Sequence, residues 1–268
     1  MSTAATRSEY LLVGIDGAIG TITLNRPDKL NAFVDSMRQE LAGVVTELAQ
    51  SDDVRVIVIT GAGRAFCAGA DIDYMRQLIE EGNVAAFESL VEAGRDVVTA
   101  IRKAPKPVIA SMNGPAAGGG ANLALACDLR IASDRASLGQ TFNSIGLHPD
   151  WGGTFFLPRL VGYSRAIEMI FKGEMIDAFE ANRMGIINEV VPHDQLPKAT
   201  RKLAMSLAKK PPIALALSKQ AIYQSFESTL DEMLDIELQN QLTCFQSEDV
   251  REGLQAFVEK RQPNFKGK

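Results

Sequence analysis

Lys106-Pro-Val-Ile-Ala-Ser-Met-Asn-Gly-Pro-Ala-Ala-Gly-Gly-Gly-Ala-Asn-Leu-Ala-Leu-Ala-Cys-Asp128 divides into three parts. Val108 to Met112 is a short apolar run with the length of a buried strand. Asn113 to Gly120 is a turn rich in glycine and proline. Ala121 to Ala126 is rich in Ala and Leu and reads as the first turns of a buried helix. A strand that feeds a glycine-lined turn and then a helix leaves unpaired backbone N–H groups at the helix start. Those groups, helped by the helix dipole, favour negative charge, and the glycines let another molecule approach the backbone closely. An anion, or an oxygen that develops negative charge, is expected here, although such turns also serve only to tighten packing. Two specific alternatives fail. No Gly-Lys-Ser/Thr follows, so this is not a phosphate loop. A dinucleotide fingerprint belongs in the first strand–helix unit, whereas this stretch is mid-chain.

Working outward, the chain of 268 residues is 46% apolar and 23% charged. That composition fits one large domain, or a domain with a small appendage, and a full core without disulfides. Cys67, Cys127 and Cys244 are odd in number and far apart, which suits neither a disulfide framework nor zinc-ligand spacing. With only His148 and His193 besides, no metal is expected. The cysteines read as small buried hydrophobes of a reducing compartment. Net charge is −5 with a pI near 5.2 and no basic run, so nucleic acid is not the expected partner. No apolar stretch approaches a membrane span. Met1 to Glu9 is polar without an apolar core, so no secretory signal is read there and a cytoplasmic location is expected. No internal repeat or low-complexity segment stands out.

Taken in order, Tyr10 to Asp16 and Ala18 to Leu24 are apolar runs joined near Asp16-Gly17, a hairpin signal. Phe33 to Gln50 reads as an amphipathic helix with Phe33, Met37, Leu41, Val44, Val45 and Leu48 on one face. Val54 to Thr60 is a β-branched run and so a buried strand. Helix-then-strand alternation predicts a mainly parallel sheet in an α/β fold. Gly61 to Asp71 is a second small-residue loop at a strand's C-terminal end, where open α/β sheets place ligands. Ile72 to Glu81 is charged and either helical or mobile, and Val84 to Arg102 is helical. After Lys106 to Asp128 comes a strand to Ser133, and then Ser137 to Pro158, the most irregular part of the chain, where function concentrates. Short helices are expected at Ser164 to Lys172 and Asp177 to Arg183, with a short strand at Ile186 to Val191. Helices at Gln195 to Lys209, Ile213 to Phe226, Leu230 to Phe245 and Val250 to Arg261 form the tail, the last capped by Ser247 with an acidic first turn. The expected division is an α/β body over 1–200 and a helical region over 201–268. That region has no polar linker before it, so it should pack on the body or on a neighbouring subunit.

Several motifs now agree in order: Asn25-Arg-Pro with Asn31-Ala32, Gly61 to Asp71, Lys106 to Asn113 with Gly118-Gly-Gly120, Cys127-Asp128, Pro149-Asp-Trp-Gly-Gly153 and Arg251 to Arg261. Together they resemble the enoyl-CoA hydratase/isomerase (crotonase) superfamily over nearly the whole chain. The resemblance implies a crotonase-like spiral of ββα repeats with a C-terminal helical trimerisation region, as a homotrimer or a dimer of trimers. It implies an acyl-CoA thioester as substrate, with no cofactor beyond the coenzyme A that the substrate carries. The backbone N–H groups that hold the thioester oxygen carry over to Ala70 and Gly119, and such donors stabilise an enolate where charge develops. Coenzyme A would lie along Arg26, Lys29, Ala68, Asp71 and Ile72, with Phe257 and Lys260 reaching a neighbouring subunit's coenzyme A.

Family membership does not fix the reaction; the acid/base residues do. A hydratase of this family holds one water with two glutamates. The matching positions are Asn122, after the Gly-rich turn, and Phe142, in Gly139-Gln-Thr-Phe142, so both carboxylates are missing. Between residues 106 and 160 the carboxylates are Asp128, Asp134 and Asp150. Asp128, which opens the strand Asp128 to Ser133 just after a helix, reads as a structural terminus or turn residue, and Asp134 as an exposed loop charge. Asp150 sits among Ile145, Leu147, Trp151 and Phe155, where burial would raise its pKa and suit it to shuttling a proton. An Asp that opens a turn, or caps the helix after Gly153, is the other reading. Pro-Asp-x-Gly-Gly resembles the sub-group with ring-epoxide phenylacetyl-CoA isomerases, whose chemistry needs one carboxylate. The expected function is therefore an acyl-CoA isomerase that moves a double bond or opens a ring epoxide. Asp150 is its base, Asn122 lines the pocket, and Phe142 and Trp151 shape an apolar acyl site. A lone loop residue such as His148 reads as pocket wall. A hydratase or related lyase, and a non-catalytic acyl-CoA-binding oligomer, stay open as alternatives. The acidic pI weighs against an RNA-binding role.

Overall fold

The computed structural model describes residues 5, 6, 8–34 and 36–268; expectations touching residues 1–4, 7 and 35 lie outside it. After β1 (Ala5–Thr6), the expected hairpin forms as β2 (Leu11–Asp16) and β3 (Ile19–Leu24), with Asp16 opposite Ile19. Then follow α1 (Met37–Gln50), β4 (Val56–Gly61), α2 (Ile72–Glu80), α3 (Val84–Lys103) and β5 (Val108–Met112). The central stretch continues as β6 (Ala116–Ala117), α4 (Gly119–Ala126) and β7 (Leu129–Ser133). The irregular part contains β8 (Ser137–Gly139), a 3-10 turn at Thr141–Ile145 and α5 (Gly153–Val161). Beyond it lie α6 (Tyr163–Lys172), β9 (Met175–Asp177), α7 (Ala178–Arg183), β10 (Glu189–Val191), α8 (Leu196–Ala208), α9 (Pro212–Gln224), α10 (Leu230–Gln246) and α11 (Glu248–Glu259).

Among the described residues, one sheet runs in the order β1-β2-β3-β4-β5-β7-β10 and is parallel from β3 onward. Its central strands obey the two-residue alternation of a sheet covered on both faces. Ile57, Ile59, Val108, Ala110 and Met112 join the core under α1 and α3 through Leu41, Val45, Val97 and Ile101. Val56, Val58, Ile109 and Ile131 turn the other way and meet Leu196 and Ala204 of α8. A second small sheet, β6-β8-β9, stands over the strand ends and carries the irregular loop.

Three boundaries move for tertiary reasons. The first helix starts at Met37 rather than Phe33, because Phe33 pairs with the loop after β4. Its N–H donates to Gly69 O at 2.7 Å, and its C=O accepts from Asp71 N at 3.1 Å. Its apolar side chain fits the helical pattern, but its backbone partners lie elsewhere. The segment before Pro158 is more regular than its glycines suggest, since α5 begins at Gly153 and runs through Pro158 at the loss of one internal hydrogen bond. Ile186 and Ile187 are buried but precede β10, which holds only Glu189–Val191.

The expected division at residue 200 falls inside α8, where the Thr200 hydroxyl bonds that of Ser111 at 2.8 Å. The tail is tied to the body beyond it. Lys219 Nζ of α9 donates to Asp128 Oδ2 at 2.9 Å and to the carbonyls of Ile101 and Lys106 at 3.1 Å, and Tyr223 donates to Asp128 Oδ1. Asp128 also accepts from Val108 N at 2.6 Å, which makes it the structural residue expected. Burial pulls the Lys219 ammonium below its usual value, and Asp128 works against that. Asp128→Ala would leave this ammonium buried without its partner. Such losses cost about 3–5 kcal/mol, read as a fall in the urea midpoint; a loss below about 1 kcal/mol would show the pair to be incidental. Ser247 caps α11 as expected, accepting from Val250 N.

Candidate active site

The loop Gly61 to Asp71 is shaped by Asn31, which is fully buried. Its Nδ2 donates to the carbonyls of Ala62 (2.9 Å), Ala65 (2.8 Å) and Phe66 (3.2 Å), and its Oδ1 accepts from Arg26 N at 2.9 Å. The loop then pairs with the turn after β5, where Ala117 N donates to Cys67 O at 3.0 Å. Two glycines make this contact possible. A Cβ on Gly120 would stand 2.1 Å from Cys67 O. A Cβ on Gly69, at φ +88°, would stand 2.8 Å from Ala117 O and 3.3 Å from Gly119 N. The two loops are therefore held backbone to backbone, and they present Ala70 and Gly119 to one cavity.

Neither the Ala70 N–H nor the Gly119 N–H donates to an acceptor among the described residues. For Ala70 the reason is local. In an extended segment successive N–H groups alternate in direction, and Asp71 N–H is turned to Phe33 O, so that of Ala70 is turned away. For Gly119 the reason is its place at the start of α4, where first-turn donors have no intrahelical partner.

The cavity has a volume of about 390 Å³ and is walled mainly by apolar groups, including Phe33, Met75, Phe87, Leu90, Phe142 and Trp151. Asp150 is its one lining carboxylate among the described residues. The loop around it is tightly held. Asn122 Nδ2 donates to Asp150 O at 2.8 Å, Gln140 Nε2 donates to Asn122 Oδ1 at 2.7 Å, and Gly153 N donates to Asp150 O at 3.0 Å. Trp151 stacks on Phe33 with centroids 4.6 Å apart and lies against Gly94 of α3. Its φ of +50° is costly for a bulky residue, and these contacts hold it. Asp150 does not cap α5: the N-cap is Gly152, with no side-chain bond. Its Oδ1 is buried without a hydrogen-bond partner. Burial pushes the Asp150 carboxyl up to about 6, against the opposing pull of Arg38.

This shift has a consequence for stability. A carboxyl raised in the folded state binds its proton more tightly there than in the unfolded chain, so stability falls as pH rises from about 4 through about 6. Asp150→Asn is expected to stabilise the fold by up to about 3 kcal/mol at pH 8. Its effect at pH 4 should be close to zero. Urea unfolding at both values checks this, and equal effects at the two would contradict it.

The other expected site residues divide. Ala68 and Ile72 line the cavity beside Ala70, although Ala68 N is already committed to Leu30 O at 3.0 Å. Arg26 and Asp71 form the rim's fastening. Arg26 donates to Asp71 Oδ2 at 2.9 Å and to Ala32 O at 2.6 Å. Burial alone would raise the Asp71 carboxyl, but Arg26 and the N–H groups of Tyr74 and Asp73 hold it below its usual value. Lys29 is exposed, pairs with Asp73 at 3.1 Å and stands outside the lining. Asn122 corrects the expectation made for it: both its polar atoms are engaged, it is fully buried, and it braces Asp150 from behind the wall. Phe257 and Lys260, on and just after α11, are exposed and outside this cavity. Burial pushes the Cys67 and Cys127 thiols up to about 12, so both are inert. Sequence reasoning missed Arg38, a cation that lines the cavity while only 4% exposed. Its signal was its place three and seven residues before Leu41 and Val45 on the helix's apolar face.

Two N–H donors without acceptors among the described residues and one half-buried carboxylate around an apolar cavity are groups that can polarise a carbonyl and move a proton near it. Comparison with known proteins gives the family. The enoyl-CoA hydratase/isomerase profile matches residues 14–268. The 1,2-epoxyphenylacetyl-CoA isomerase of Escherichia coli is 40% identical over 97% of this chain and 99% of its own. The short-chain-enoyl-CoA hydratase of Clostridium acetobutylicum is 37% identical over 92% of this chain and 93% of its own. The crystal structure of an enoyl-CoA hydratase from Bacillus anthracis superimposes with a TM-score of 0.91 at 38% identity, covering 97% of this chain and all of that one. The protein belongs to the enoyl-CoA hydratase/isomerase family, has the crotonase fold, and is an enzyme of acyl-CoA thioesters.

Proposed function

We propose that the protein is an acyl-CoA isomerase that shifts a double bond, or opens a ring epoxide, through a thioester dienolate. The observation that carries this reading is the one carboxylate that lines the cavity among the described residues, Asp150, whose Oδ1 is buried without a hydrogen-bond partner. The thioester oxygen is held by the N–H groups of Ala70 and Gly119. Asp150 takes an acidic proton from the acyl chain as charge moves onto that oxygen, and it returns the proton to another carbon. No cofactor is needed besides the coenzyme A of the substrate, which lies along the Arg26–Asp71 rim with Lys29, Ala68 and Ile72. Phe142 stands at a position where a hydratase of the family carries a glutamate, and an aromatic ring cannot hold or activate water. Hydration is the second reading, favoured by the hydratase name of a relative 37% identical to this chain. A 3-enoyl-CoA and a 2-enoyl-CoA separate the two. Migration of the double bond without change in mass supports isomerisation, whereas gain of one water overturns it.

The tail belongs to the same proposal. Leu230, Leu234, Leu238 and Leu242 repeat every four residues along α10, each about half exposed or more, with Phe245 beyond them at 72%. A helix of this length with an apolar stripe in water is suited to packing on another copy, as the trimer or dimer of trimers implied by the sequence. Phe257 and Lys260 would then reach a neighbour's coenzyme A. A monomeric mass in sedimentation equilibrium would reject this assembly.

A further inference from the structure

Arg38 lies in the first turn of α1 and is 4% exposed, and its Nη1 is buried without a hydrogen-bond partner among the described residues. Its guanidinium carbon stands 5.3 Å from the centroid of Phe33, the ring on which Trp151 stacks. Arg38 and Asp150 line the same cavity, yet they form no direct ion pair within 4 Å. Two opposite charges thus line one cavity without a direct contact, each with a buried polar atom that has no partner among the described residues. A lone charge in such a place is very costly, and each lowers that cost for the other at a distance.

We propose that Arg38 is a positioning residue for the reaction: a buried counter-charge that keeps the Asp150 carboxylate in its anionic, proton-accepting form and free of a direct hydrogen bond. The proposal rests on the reading of Asp150 as the base. A bonded pair would quench the base, whereas removal of the cation would leave a larger share of Asp150 protonated near neutral and acidic pH. Separation across the cavity avoids both. The groups that face Asp150 are Arg38 from α1 and His148 from its own loop; those that also face Arg38 are Cys67 from the loop after β4 and Tyr74 from α2. Of these, Arg38 is the one permanent cation, and His148 is exposed, where solvent and salt screen it. Burial draws the Arg38 guanidinium below its ordinary value, and Asp150 is first among the groups that oppose this.

The test is a titration of the Asp150 carboxyl carbon by NMR in the whole protein, with Asp150→Asn to assign the signal, alongside the pH profile of isomerisation. Arg38→Met is expected to raise the midpoint from about 6 by about one pH unit. On that shift kcat/KM falls about fivefold at pH 6 and by less than about 1.5-fold at pH 8. Arg38→Lys, which preserves the charge, should keep the midpoint close to wild type. An unchanged midpoint in Arg38→Met, with a raised KM alone, would make Arg38 a substrate contact and overturn the proposal. If Arg38→Met does not fold, Arg38→Gln, which also removes the charge, takes its place: a midpoint raised by about a full unit supports the proposal, and an unmoved one overturns it. Should Asp150→Asn keep full activity, the base reading fails by its own control. The titration still reports whether the two charges are coupled.

Discussion

Asp150→Asn is expected to slow double-bond migration in a 3-enoyl-CoA by about 10²- to 10⁴-fold, the range typical of a lost general base, while acyl-CoA binding survives. Binding should survive because coenzyme A is expected along the Arg26–Asp71 rim and because the Asp150 backbone, held by Asn122 and Gly153, does not depend on its carboxylate. The amide nearly matches the carboxyl in shape, so Trp151 can stay stacked on Phe33. A stopped reaction with retained binding, measured by calorimetry on a non-reactive acyl-CoA, separates the base from a pocket wall. The same variant is expected to be more stable at pH 8, since it removes a desolvated charge. A variant that is slow and also unstable would point to a structural role instead. Undiminished rate with retained binding would send the search for the base to other groups of the cavity.

Gly119→Pro is expected to lower kcat by about 10²- to 10³-fold, the usual consequence of deleting one oxyanion donor. The substitution is unusually clean at this position. Gly119 opens α4, where proline is best tolerated because the N–H has no helical partner. The preceding Gly118 has no side chain to clash with the ring. Gly119→Ala is the control: it keeps the donor, and its Cβ would meet Trp151 Nε1 at an ordinary 3.7 Å. Loss in Pro and not in Ala assigns the effect to the hydrogen-bond donor. Equal loss in both would assign it to shape.

Ala70 and Gly119 were named through the family resemblance, and their places, in small-residue loops after strands with Gly119 at a helix start, are local features that sequence can show. Strand β5 was legible to the residue, since its four apolar side chains and Ser111 are all buried between the two faces of the sheet. The helices of the tail were legible from their periodicity and caps. Phe33 was not, because its partner is the backbone around Ala70, nearly forty residues on. Nor was the reason for the Trp151 backbone conformation, which rests on Phe33 and Gly94 from other elements.

Asn122 and Arg38 mark the same boundary from opposite sides. By its place after the Gly-rich turn, Asn122 looked like a pocket residue, but its side chain is consumed by Gln140 and the Asp150 carbonyl. Arg38 was passed over in the sequence reading of its helix, and the packing of α1 brings it to the cavity lining. Sequence by itself determined the family, the strands of the sheet and the glycine turns, because each is written in local pattern and order. Tertiary structure decided which polar groups are free to react. Burial and hydrogen-bond satisfaction depend on neighbours distant in the chain, and only the fold brings the half-buried Asp150, with its Oδ1 unbonded, and the buried Arg38 to the lining of one cavity.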